Sequence, residues 1–106
     1  MSHWIQVMTQ RIIDQFEPLQ IILFGLYARG DAQPCSDVDL LVVLPEVDSK
    51  RQQAIAISAI LTDLPIAKDI IVTTPQEIEA YGDLVGTILR PALRKGKLLY
   101  DRATIS

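Results

Sequence analysis

The alternation of apolar and polar positions divides the chain into short, clearly typed segments. Ile5, Met8, Ile12 and Phe16 recur near helical spacing and predict a helix over residues 4–16, with Ser2 as its N-cap. Glu17-Pro18 ends it, because a residue before proline is pushed out of the helical region. Ile21-Ile22-Leu23-Phe24 is short, β-branched and aromatic, as a buried strand is. It stops at Gly25. A second buried strand is expected over residues 38–44. Ser49 then caps a helix running to about Leu64, whose Ile57, Ile60, Leu61 and Leu64 fall at i, i+3, i+4 and i+7 and cover the sheet. Lys50-Arg51 reads as a solvated first turn. Lys68-Asp69-Ile70-Ile71-Val72-Thr73 is a third strand, and strands joined by a helix are usually parallel neighbours. Thr74-Pro75-Gln76-Glu77 fits a capping box and opens a further helix. Val85, Ile88, Leu89 and Ala92 make another amphipathic stretch, broken near Pro91. After Gly96, residues 97–100 return as a short edge strand.

Two junctions in this pattern carry polar chemistry. Residues 25–30 bracket a turn between glycines, where a backbone turns tightly or approaches a ligand. A short helix there would face its N-terminus toward anions. Residues 31–36 form a loop punctuated by Pro34. Asp37 and Asp39 stand at the start of the second strand, and residues two apart on a strand share a face. Two carboxylates held side by side repel unless a cation lies between them. Hard oxygen ligands suit Mg²⁺, which is commonly held by one or two carboxylates plus substrate phosphates. Backbone N–H groups of the glycine turn can receive those phosphates. Arg29 either reaches a phosphate or pairs with Asp31; the residues leave both open. Asp69, at the start of the third strand, either joins the two aspartates or pairs locally with Lys68 or solvent.

These residues resemble a known family. Gly25, eleven intervening residues and Asp37-x-Asp39 are similar to the G-S-x10-D-x-D signature of the polymerase-β-like nucleotidyltransferases. The fuller string from Phe24 to Leu40, with the tail Gly86-Thr87 and Ala92 to Tyr100, resembles the minimal nucleotidyltransferase (MNT) subgroup over nearly the whole chain. The resemblance implies an α/β fold: a small mixed sheet with helices on one face and an acidic cleft on the other. It implies Asp37, Asp39 and Asp69 as catalytic and metal-holding residues, two Mg²⁺ ions, and ATP as co-substrate. Gly25, Leu26 and Arg29 would hold its phosphates. The sequence departs from the motif at Leu26, where the family has a serine whose hydroxyl is expected to bind phosphate.

With 106 residues, 49% of them hydrophobic and 22% charged, the chain is expected to be one folded domain, residues 1–106. It has no apolar run long enough for a membrane span and no signal-peptide pattern at its start. A single cysteine, Cys35, gives no internal disulfide and suits a cytoplasmic protein. The net charge of −3 argues against a broad nucleic-acid footprint. Arg90, Arg94, Lys95, Lys97 and Arg102 nevertheless gather near the end of the chain, as a solvated helix end, as a docking edge for an acidic partner or as a contribution to triphosphate binding. His3, the sole histidine, reads as a surface residue.

Stand-alone MNT proteins are commonly antitoxins of HEPN-domain RNase toxins, so the resemblance implies a hetero-oligomer with such a toxin. The leading expectation is an adenylyltransferase that moves AMP from ATP to a tyrosine hydroxyl of the toxin. Two alternatives accompany it: an MNT protein that neutralises its partner by binding alone, and a transferase acting on a small hydroxylated molecule. The aspartates favour catalysis, and Leu26 favours the binder.

Overall fold

A computed structural model describes residues 3–25, 37–81 and 96–102 of the chain. Its first element, α1 (His3–Phe16), buries Ile5, Met8 and Ile12 on one stripe, as the spacing predicts. Its end is fixed locally. The Glu17 N–H bonds the Ile13 carbonyl at 3.2 Å, and Glu17 itself turns left-handed at φ 48° before buried Pro18.

Four strands form one sheet in the order β3-β2-β1-β4. They are β1 (Gln20–Phe24), β2 (Val38–Val43), β3 (Lys68–Thr73) and β4 (Lys97–Asp101). β1 runs antiparallel to both β2 and β4, while β2 and β3 are parallel and joined through a helix. The sheet is therefore mixed, and residues 97–101 occupy its edge. The β1–β4 register shifts between Ile21 and Ile22, which leaves Leu99 without a Cα partner in β1.

Alternation along the strands divides the sheet into two faces. Ile21 and Leu23, Val38, Leu40 and Val42, and Ile70 and Val72 point toward α1 and the second helix, α2 (Lys50–Ala59), and form the main core. Ile22, Phe24 and Leu41 form a smaller apolar cluster on the other face, with Ile71 against it. Asp39 and Asp69 share the parity of Leu41 and Ile71, so they belong to this second face.

The α2 helix is shorter than its apolar spacing predicts. It ends at Ala59 rather than near Leu64, and the chain continues through tight turns, with Leu61 N–H bonded to Ser58 O at 3.0 Å. The core is not lost, because Leu61 and Leu64 are still buried. Carbonyls at the helix end and in the turns that follow find side-chain donors. Arg11 donates to Ile60 O at 3.0 Å, and Lys68 donates to Ile66 O at 3.0 Å and Leu64 O at 3.4 Å. Arg11 also grips both carboxylate oxygens of Asp63, which ties α1 to this turn.

At its start, α2 is capped as expected: the Ser49 hydroxyl accepts from Gln52 N–H at 3.2 Å. Thr74 likewise accepts from Glu77 N–H at 3.3 Å at the start of α3 (Pro75–Tyr81). Lys50 and Arg51 are exposed in the first turn, as expected, and the Lys50 amine also lies 2.6 Å from the Glu77 carboxylate, linking α2 to α3. No helix among the described residues is long and apolar enough to cross a membrane. The amphipathic stretch around residues 85–92 and the cations Arg90, Arg94 and Lys95 lie outside the described residues.

Candidate active site

The candidate chemistry collects where β1 ends and β2 and β3 begin. Parallel pairing sets Asp39 directly opposite Asp69, and antiparallel pairing sets Asp39 opposite Phe24. Register partners on neighbouring strands share a face, so the Asp39 and Asp69 carboxylates are side by side. Asp37 lies just ahead of β2 and is exposed, as is Asp69; Asp39 is half-buried. Lys68 does not neutralise Asp69, because its amine is committed to the carbonyls of Leu64 and Ile66.

The electrostatics follow from this placement. The Asp39 carboxyl titrates above its ordinary range, first because burial penalises its charged form, then because Asp69 and Asp37 repel that charge. All three influences push the same way. A half-buried carboxylate beside two others, with no ion pair to a cation among the described residues, is a set of hard oxygen donors that fits a hard divalent cation. Among the described residues, no group of three or more His, Cys, Asp or Glu side chains is arranged to hold a metal by itself.

Gly25 closes the site from the β1 side. Its φ is +74°, a conformation that disfavours any side chain, and the Asp39 carboxylate packs over its Cα. Leu26 and Arg29 lie outside the described residues, so of the expected phosphate-binding set only Gly25 is placed. The Gly25–Asp39 contact was not read from the sequence. Its signal is a glycine closing one strand where the antiparallel neighbour opens with an acid, but register is needed to see that the two meet.

A groove of about 600 Å³ lies elsewhere, lined by Gln6, Thr9, Gln10, Ile13, Leu98, Leu99 and Tyr100. It contains none of the three aspartates. The acid–glycine junction is the stronger candidate for chemistry.

Residues 8–96 match the family model of the nucleotidyltransferase domain. The chain belongs to that family. Two solved structures share the nucleotidyltransferase fold with it. A Sulfolobus solfataricus protein described as a nucleotidyltransferase aligns with a TM-score of 0.66 and 20% identity, over 94% of this chain and 79% of its own. A toxin–antitoxin structure containing AMP-PNP aligns with a TM-score of 0.57 and 19% identity, over 94% of this chain and 76% of its own. At such identities the likeness establishes the fold of this nucleotidyltransferase domain. No match emerges among curated proteins.

Proposed function

We propose that this nucleotidyltransferase domain is the antitoxin of a toxin–antitoxin pair and transfers AMP from ATP to a tyrosine hydroxyl of a HEPN-type RNase toxin. The observation that carries the reading is the Asp39–Asp69 pair, set side by side against Gly25 with no cation paired to it among the described residues. The family match supports nucleotidyl transfer, and the fold likeness to a toxin–antitoxin structure with AMP-PNP supports the kind of partner and nucleotide.

In this reading Asp37, Asp39 and Asp69 would hold two Mg²⁺ ions. When bound, the ions supply charge neutralisation at the attacking and leaving oxygens. The protein's own residues do the rest. Gly25, Leu26 and Arg29 are the residues assigned to the distal phosphates in this reading, through backbone N–H groups and the Arg29 guanidinium. Asp69, the more exposed of the paired acids, takes the proton of the tyrosine hydroxyl. The tyrosine oxygen forms its bond to the α-phosphorus as the α–β phosphoanhydride bond breaks, and pyrophosphate departs with that electron pair. Transfer to a protein acceptor implies a hetero-oligomer in which the toxin brings the hydroxyl to the acidic face.

Leu26 favours a second reading, in which the domain neutralises its partner by binding alone. The decisive experiment incubates the chain with the neighbouring gene's product, labelled ATP and Mg²⁺, and follows label on the partner. The wild type labels it, and Asp37→Asn or Asp39→Asn does not. A serine at 26 restores one hydrogen bond to a charged phosphate, about 1.5–3 kcal/mol, so Leu26→Ser raises the rate about 10- to 150-fold. Partner neutralisation without label, persisting in the aspartate variants and in Leu26→Ser, would leave only the binder.

A further inference from the structure

We infer that Gly25 is a positioning residue for Asp39: its missing side chain is the space that the Asp39 carboxylate occupies. The inference deepens the nucleotidyl-transfer reading and rests on it. A glycine at the end of a strand is commonly explained by backbone freedom, and φ +74° is reason enough for that. A second demand is independent of φ. A Cβ built on Gly25 would overlap Asp39 Oδ2 and lie 3.2 Å from Asp39 Cγ and 3.6 Å from its Cβ. The nearest atoms all belong to that one side chain, and it is one of the acids assigned to the metals.

The consequence follows from what is free to move. Gly25 is held at the end of β1, and Asp39 Cα is fixed by ladders to Phe24 on one side and Asp69 on the other. The Asp39 side chain has two soft torsions, so it gives way before the backbone does. Any side chain at 25 therefore turns the carboxylate off its present direction while the sheet stays paired. Gly25 acts on the chemistry through Asp39, in addition to any phosphate contact made by the backbone that follows it.

The test is Mn²⁺ binding in the presence of ATP, read on the full chain from the electron paramagnetic resonance signal of free Mn²⁺. Circular dichroism verifies that each variant is folded. Loss of a group that orients a metal ligand typically weakens the metal by about 10–100-fold. Gly25→Ala is expected to weaken Mn²⁺–ATP uptake by that factor, and to add nothing further in an Asp39→Asn background. Unchanged uptake by folded Gly25→Ala overturns the inference. So does equal weakening in both backgrounds, which would mean that Gly25 acts on the phosphates directly. If Gly25→Ala does not fold, Gly25→Asn, whose side chain tolerates a positive φ, takes its place in the uptake measurement with the same two outcomes; should it fail to fold as well, adding Asp39→Ala decides, recovery of folding supporting the overlap and no recovery refuting it. A wild-type chain that takes up no Mn²⁺–ATP refutes the nucleotidyl-transfer reading itself, an outcome distinct from failure of the glycine variant alone.

Discussion

Asp39→Asn should stabilise the chain without ligand and destabilise it, relative to wild type, once metal and nucleotide are bound. The substitution is nearly isosteric, so the packing over Gly25 is kept while a charge is removed. That charge lies directly across a ladder from Asp69, and cross-strand charge pairs are worth roughly 0.2–1 kcal/mol, unfavourable when the signs are alike. For a chain of about this size each kcal/mol moves the midpoint by about 4–8 °C, so the unliganded variant should melt roughly 1–8 °C higher. Mg²⁺–ATP at a hundred times its dissociation constant adds about 2.7 kcal/mol to the wild type, a shift of ~10 °C or more. The variant should gain little of it. The order of the two melting points therefore inverts on adding ligand.

The sign with pH follows from the same carboxyl. Asp39 holds its proton more tightly in the folded state than in the unfolded one, so its ionisation costs stability at pH above the raised folded value. The unliganded advantage of Asp39→Asn is complete there. It shrinks as pH falls through that value and is gone below the ordinary carboxylate range. Thermal melts of both proteins from pH 7 to pH 3, with and without Mg²⁺–ATP, read all of this. An Asp39→Asn chain that melts lower than wild type without ligand, or shifts equally with it, would refute the argument.

Two further predictions concern the scaffold. Asp63 titrates below its ordinary range because Arg11 donates to its carboxylate, so it contributes stability at neutral pH that is lost as pH falls through its lowered folded value. Asp63→Asn should flatten the acid limb of the wild-type melting curve, and an unaltered limb would mean that the pair contributes nothing. Thr74→Ala removes the hydroxyl that caps α3 and should cost about 0.5–2 kcal/mol by chemical denaturation, with the slope of the transition unchanged.

The sheet was legible because its strands are short apolar runs with clear stops. Residues 68–73 and the edge strand beginning at Lys97 fall where the pattern places them, and the parallel pairing of β2 with β3 follows from the helix between them. The end of α2 was not legible. Leu61 and Leu64 satisfy helical spacing, yet they reach the core from tight turns whose carbonyls are claimed by Arg11 and Lys68. Periodicity records which residues are buried, and it cannot distinguish a fourth helical turn from a tighter one that buries the same side chains. The ion pair of Lys50 is hidden from the sequence for a related reason. Its partner Glu77 lies 27 positions away, on a helix whose approach no local pattern encodes.

The same distinction between composition and register separates what the sequence could say of the site from what it could not. Asp37 and Asp39 declare a shared face by their spacing alone. Asp69 enters only through parallel pairing, and its opposition to Asp39 depends on a register that a slip of one residue in β3 would reverse, sending Asp69 toward the core. What fixes that register is the apolar face behind it: Val38, Leu40 and Val42 on β2 and Ile70 and Val72 on β3 all pack toward the two helices. Burial of those side chains, at about 1.5–3 kcal/mol each, far exceeds the repulsion between two partly solvated carboxylates. The core thus holds like charges together against their own preference. A cation brought with a nucleotide would be drawn to that arrangement because the fold has already met the cost of assembling it.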